Sequence, residues 1–405
     1  MKIKIIKPLL LLTILSLYIL NVKSGNTNYI SLFLISFTLF ILITINLKNK
    51  LIISRSFKWY FKFSVFSIMS FLYSIEPINS INMIPTFIIN LMIIFIITNY
   101  INSKEHLINV IKIIAICGFI NSLVLLFASS YTNVDTYNRV GTGIGNVNLI
   151  AIQICYSLIF SFILIKYTNK KLKYIIMISF MGVSILFTGA RQVFLMICVF
   201  LLAWLFLKDY KNIVKNMRNI IIGIIVISIL LVLIMKVDFL YMLLGSRIEE
   251  MLHLLSGQNV AEHSLNSRAN MIKSGIEWFK SSPILGYGID TYKVMYNNSF
   301  GVNYYAHNNY IEILVDLGLI GCVTYYVFYF KLLKNLYKFK LHENYTACIL
   351  FCLVIAQFFL DIAFVSYGSR ILIIIVSIIE RYVYLNNIDI ERKKYGISIN
   401  NNVDI

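Results

Sequence analysis

The sequence predicts an all-α integral membrane protein of about twelve transmembrane helices with one large extracytoplasmic loop. Three observations carry this. The 405 residues are 59% hydrophobic and only 13% charged, with a mean hydropathy of +0.80, far above a soluble average. Apolar runs of roughly 20 residues recur along the chain, each long enough to cross a hydrocarbon core of about 30 Å. Lysine and arginine gather in alternate short loops. The 36 Lys and Arg against 18 Asp and Glu would suggest nucleic acid on a soluble protein. Here they read as orientation signals on cytoplasmic loops, and no nucleic-acid partner is expected.

The expected spans are 5–22, 28–47, 59–75, 84–101, 107–130, 146–165, 172–189, 190–207, 219–235, 308–330, 345–366 and 370–386. The first follows Lys2, Lys4 and Lys7 and has no small-residue cleavage site after it, so it reads as a span and not a signal peptide. The run from Leu172 to Leu207 would be about 54 Å long as one helix. It overshoots the membrane and must turn at Thr188-Gly189-Ala190-Arg191, its one polar break. With the N-terminus inside, the inner loops hold clusters such as Lys166, Lys170, Lys171 and Lys173, or Lys331, Lys334, Lys338 and Lys340. The short outer loops hold only Lys23, Arg139, Arg191 and Arg370. Both termini are therefore expected in the cytoplasm, and residues 236–306 outside.

The chain divides into N-terminal transmembrane helices over 1–138, central ones over 139–235, the large extracytoplasmic loop over 236–307, C-terminal ones over 308–386, and a loose cytoplasmic tail over 387–405. Within the loop, Asn266 or Ser267 can cap a helix reaching about Lys280, with Arg268 in its first turn. Ile272, Ile276 and Phe279 form its apolar face, suited to lying on the membrane surface. Pro283 ends it, and Gly286-Tyr287-Gly288 bends the chain.

Chemistry concentrates in this outer region. His307 opens the next span; an imidazole is the natural general base near neutral pH, although an interfacial histidine can be merely structural. Arg191 and Arg268 either snorkel to headgroups or clamp a phosphate with their planar forks. The Gly-rich turn from Arg139 to Asn148 leads into a helix N-terminus that can hold an anion, and ordinary loop chemistry explains it as well. The six cysteines all lie in apolar runs, as small buried residues. The sequence has no GxxxxGK[ST] phosphate loop, no DxD and no HExxH. It therefore predicts no cofactor and no metal, and a substrate that brings its own activation.

These residues resemble the O-antigen ligase and polymerase family of bacterial membrane glycan enzymes. The resemblance rests on Thr188-Gly189-Ala190-Arg191-Gln192, on Ser267-Arg268 with Trp278 and Pro283-Ile284-Leu285-Gly286-Tyr287-Gly288, and on Ala306-His307-Asn308-Asn309-Tyr310-Ile311-Glu312 followed by Asp316-Leu317-Gly318-Leu319-Ile320-Gly321. It spans roughly residues 139–321. It implies a GT-C-like helical fold in the bacterial cytoplasmic membrane, a glycan donor on undecaprenyl pyrophosphate, and metal-independent, inverting transfer at the outer face. It implies that His307 activates the acceptor hydroxyl while Arg191 and Arg268 bind the donor pyrophosphate, with Arg139 at a looser family position. Membrane lipids, a chain-length regulator and a flippase are its implied partners. The bend Pro-Ile-Leu-Gly-Tyr-Gly looks more like polymerase members than ligases, which pass the glycan to lipid A core or protein. A flippase or other transporter is the reading from another class, with Asp361 as an ion-coupling group.

Overall fold

The computed structural model describes residues 2–20, 29–45, 51–128, 140, 144–209, 211–255, 263–339, 341 and 343–394. Among them there is helix and no strand. The membrane part contains α1 (Lys2–Ile19), α2 (Tyr29–Ile45), α3 (Arg55–Met69), α4 (Pro77–Asn82), α5 (Ile84–Tyr100), α6 (Lys104–Ala128), α7 (Val147–Lys166), α8 (Lys171–Phe187), α9 (Arg191–Lys208) and α10 (Ile213–Lys236). The segment that follows is helical too: α11 (Asp238–Leu240), a π-turn (Tyr241–Gly245), α12 (Ser246–Leu255), α13 (His263–Ser281) and α14 (Tyr292–Phe300). The chain then re-enters the bundle through α15 (Asn309–Tyr337), α16 (Tyr345–Leu360) and α17 (Arg370–Lys394).

Each expected apolar run overlaps a helix, although α3 ends at Met69 and α16 at Leu360, short of the expected 75 and 366. Against the twelve expected spans, seven helical segments among the described residues are long and apolar enough to cross a membrane: Pro77–Tyr100, Lys104–Phe127, Val147–Lys166, Arg191–Lys208, Ile213–Lys236, Asn309–Tyr337 and Arg370–Glu391. Three shorter ones, Ile6–Ile19, Tyr29–Ile45 and Tyr345–Leu360, are equally apolar in character. Asparagine starts many of these helices. Asn146, Asn212, Asn308 and Asn344 each accept a hydrogen bond from a first-turn amide that has no partner within its own helix.

Helices α7 and α17 are buried almost all round, whereas α10 exposes most of its apolar surface, so α7 and α17 form the bundle core and α10 its lipid-facing edge. Close approach comes from small residues: a Cβ at Gly118 of α6 would lie 2.1 Å from Cβ of Ser157 on α7. Several polar side chains inside pair across helices. Asn121 donates to Gln153 at 2.8 Å, and Thr13 and Thr38 meet at 2.7 Å. Arg381, buried on α17, donates twice to the Ile101 carbonyl at the C-terminus of α5, at 2.9 and 2.7 Å. That carbonyl has no helical partner, and it meets a cation.

In the segment expected as the large outer loop, the described residues carry the cap helices α11 to α14. Two expectations need correction. Helix α13 begins at His263, a turn before Asn266, so neither Asn266 nor Ser267 is its cap and Arg268 is not in its first turn. Residues 387–394, expected in the loose tail, continue α17, and Asp389 pairs with Lys104 at 2.8 Å; the rest of the expected tail lies outside the described residues.

The cap residue Ser299 and the α9–α10 residue Lys211 are both exposed. With the expected orientation, an impermeant maleimide on intact cells labels Ser299→Cys and leaves Lys211→Cys untouched, in a background without the native cysteines. The reverse pattern contradicts that orientation.

Candidate active site

Helix α15 is interrupted at Gly318, which has φ 63° and ψ −163°. In an unbroken helix Leu319 and Ile320 N–H would donate to the Val315 and Asp316 carbonyls. They donate instead to Pro283 O at 2.9 Å and Ile284 O at 3.3 Å. The two carbonyls left behind accept from Tyr287 N at 2.9 Å and Gly288 N at 2.7 Å. The bend over 283–288 is thus threaded into the break and replaces the lost helical bonds one for one. Two glycines allow it. A Cβ on Gly318 would lie 2.2 Å from Ile284 O, and one on Gly286 2.5 Å from Val315 O.

The Asp316 carboxylate fastens the next turn. It accepts from Asp290 N and Tyr292 N, both at 2.8 Å, and from Thr291 N and Oγ1, both at 3.2 Å. From the other side the turn after α3 clasps the bend, with Ile75 N donating to Tyr287 O at 3.1 Å and Ile289 N to Ser70 Oγ at 2.9 Å. A small apolar core of Met271, Tyr292, Tyr296, Ala306 and Val315 then seats α13 and α14 on α15. Gly275 makes the closest contact, since a Cβ there would stand 2.3 Å from Ile311. The buried face of α13 therefore runs through Met271, Gly275 and Trp278; Ile276, placed by periodicity on the apolar face, is exposed.

This scaffold presents His307. Ala306 N donates to the Glu312 carboxylate at 2.6 Å. Asn308 caps α15 through Tyr310 N and Ile311 N. Asn309 accepts from Ser366 N and Tyr367 N and donates to Tyr326 Oη. Each of these side chains has a structural task. His307 does not: it sits at φ 51°, half-buried, its ring 4.0 Å from that of Tyr305, with no hydrogen-bond partner among the described residues. Burial lowers its pKa from 6.5 to about 4, and the nearby positive charge of Arg268 lowers it further within that shift. The imidazole is neutral at pH 7 and lies in the field of the Arg268 guanidinium.

Arg191 is the first residue of α9, placed by the tight turn that the polar break predicts. Gly189 has φ 58°, and a Cβ there would lie 2.3 Å from Leu243 O. Arg191 is buried, and its Nη1 donates to Arg247 O at 2.9 Å. It therefore lies against the turn that opens α12, and α12 packs on α13, which carries Arg268. Arg247 is a cation that the sequence reading passed over; the one available signal was a basic residue in a segment expected outside. Arg139 lies outside the described residues. Among the described residues no cluster of three His, Cys, Asp or Glu side chains with metal-site spacing occurs. Asp361 is fully engaged, accepting from Gln357 at 2.7 Å, Ser366 at 2.6 Å and Tyr326 at 2.9 Å. It ties α16 to α15, which accounts for a buried carboxylate without ion coupling.

Residues 176–326, from within α8 to within α15, match the family model of the O-antigen ligases. This segment contains Arg191, Arg268 and His307, and the match supports the resemblance to the O-antigen ligase/polymerase family. Among curated proteins none is significantly similar to the chain.

Two predictions follow from this geometry. Gly318→Ala puts a side chain at positive φ against a backbone carbonyl, and it lowers the melting temperature by an amount corresponding to about 1–3 kcal/mol or more. Gly301→Ala has a similar φ of 71° with nothing within 4 Å, and it costs only about 1 kcal/mol. For His307 the folded-state pKa of about 4 lies below the free value of 6.5. Between the two the unfolded chain binds the extra proton, so stability is lost as pH falls from 6.5 towards 4, by up to about 3 kcal/mol. Melting curves of His307→Gln lose less over that window than wild type.

Proposed function

We propose that the chain is a polysaccharide polymerase of the outer face of the bacterial cytoplasmic membrane, passing a growing glycan from undecaprenyl pyrophosphate to a lipid-linked repeat unit. The observation that carries this reading is a neutral, half-buried imidazole in the field of a guanidinium, in a motif whose other polar residues are all occupied.

The chemistry is a displacement at the anomeric carbon. An acceptor hydroxyl oxygen attacks C1, the bond from C1 to the pyrophosphate oxygen breaks, and the pyrophosphate leaves with the electron pair. Attack opposite the leaving group inverts C1. His307 takes the hydroxyl proton as the new bond forms. Arg268 and Arg191, with Arg139 as a third donor-binding residue, stabilise the charge that builds on the leaving oxygen, without a metal. With its pKa near 4, the free imidazole is a weak base. A bound pyrophosphate would offset the charge of Arg268 and raise that pKa, so the base strengthens when the donor is in place. Holding both lipid-borne substrates at one surface supplies proximity.

A ligase uses the same reaction with a different acceptor, and the matched family is described by its ligases. The bend over 283–288 favours the polymerase. A deletion strain decides: single repeat units on the surface with no long-chain ladder mark a polymerase, while long chains stranded on the lipid carrier mark a ligase.

With purified protein and a lipid-linked repeat unit, Arg191→Lys and Arg268→Lys each cut transfer by about a hundred- to a thousand-fold, since a lysine keeps the charge but loses the two-pronged hold. His307→Ala retains donor binding and loses about two to four orders of magnitude in turnover. Lys170→Gln, on an expected cytoplasmic loop, transfers normally. A His307→Ala protein that polymerises at the wild-type rate contradicts the proposal.

A further inference from the structure

At the end of the bundle opposite the cap, α3, α15 and α17 enclose a cavity of about 730 Å³. Its walls are of two kinds. One side is apolar: Trp59, Val323, Val327 and Phe328. The Trp59 indole is stacked on Phe328 with ring centres 4.6 Å apart, and its N–H is anchored to the Thr324 and Tyr325 carbonyls at 3.1 and 3.0 Å. Val323 and Val327 are exposed along α15, so this wall runs out onto the lipid-facing side of the bundle. The other side is basic, with Arg55, Lys58, Lys62, Lys331, Lys334 and Lys338.

Two carboxylates also line the space. Glu380 is buried, accepts from the Arg55 amide and lies in the field of Arg55 and Arg381. Glu391 is exposed at the rim. Among the described residues no ion pair engages the five lysines. Their charge is left to whatever fills the cavity.

We propose that this cavity binds an anionic phospholipid, with its phosphate among the lysines and an acyl chain along Trp59, Val323, Val327 and Phe328. The charge excess selects an anion. The apolar wall, continuous with the lipid-facing side of α15, selects one that carries a hydrocarbon chain over a free phosphate or an acidic protein. The site is separate from the glycan-transfer residues and does not rest on their assignment.

The test uses the full-length protein in detergent. Native mass spectrometry compares phosphatidylglycerol with phosphatidylcholine of the same acyl chains. Wild type holds phosphatidylglycerol at least ten-fold more tightly, and the Lys58→Gln/Lys331→Gln/Lys334→Gln variant loses that preference. Phosphatidylglycerol with brominated chains quenches tryptophan fluorescence in wild type, and Trp59→Phe removes the quenched component. This second readout does not depend on the triple variant folding. Equal affinity for the two lipids, displacement by millimolar inorganic phosphate, or quenching that survives Trp59→Phe each overturns the proposal.

Discussion

The exchange of backbone hydrogen bonds at Gly318 is the constraint on which the rest depends. Within a membrane a helix cannot simply stop, because its freed N–H and C=O groups have no water to meet. Here Leu319 and Ile320 give their protons to Pro283 and Ile284, and Val315 and Asp316 receive protons from Tyr287 and Gly288. The loop and the helix complete each other. Two motifs some 30 residues apart in the sequence are thereby one structural unit, and their glycines are required by backbone contact at 2.2–2.5 Å.

The functional consequence lies in the helices on either side of the docked bend. Upstream of the docked bend, α13 is pinned through Gly275 against Ile311, which holds Arg268 on the α15 side of the cap. Before the break, the first turn of α15 uses Glu312 and Asn308 to fix the backbone on either side of His307. The arginine and the histidine are therefore held within each other's electrostatic reach by the same docking. Arg191 arrives by a separate route, through the Gly189 turn and its bond to the carbonyl of Arg247. In the proposed mechanism the two routes converge on the same pyrophosphate.

Much of this was legible in the residues. The Thr188-Gly189-Ala190-Arg191 turn was readable because the mainly apolar run from Leu172 to Leu207 is too long to cross as one helix and the chain offers one polar break within it. The start of α15 was readable because His307 and Asn308 end the polar stretch. The Gly318 break was not, since a glycine inside an apolar run looks like ordinary helix and its partner lies elsewhere in the chain. The cap helices α12 and α14 lacked the long apolar signal that marked the spans. The packing face of α13 was not legible, because its tightest contact is made by Gly275, which has no side chain for periodicity to weigh. The end of α17 was missed because an ion pair with Lys104, and not local composition, holds it in the bundle.

The central claim is that a lipid pyrophosphate binds beside Arg268 and thereby raises the basicity of His307. The direct measurement is an NMR titration of His307 in isotope-labelled protein, with and without a non-transferable polyprenyl pyrophosphate, its signal identified by loss in His307→Gln. The account predicts a pKa near 4 in the free protein and a clear upward shift with the lipid bound, an effect absent in Arg268→Gln. A free value at the ordinary histidine position, or one unmoved by the pyrophosphate lipid, would contradict it.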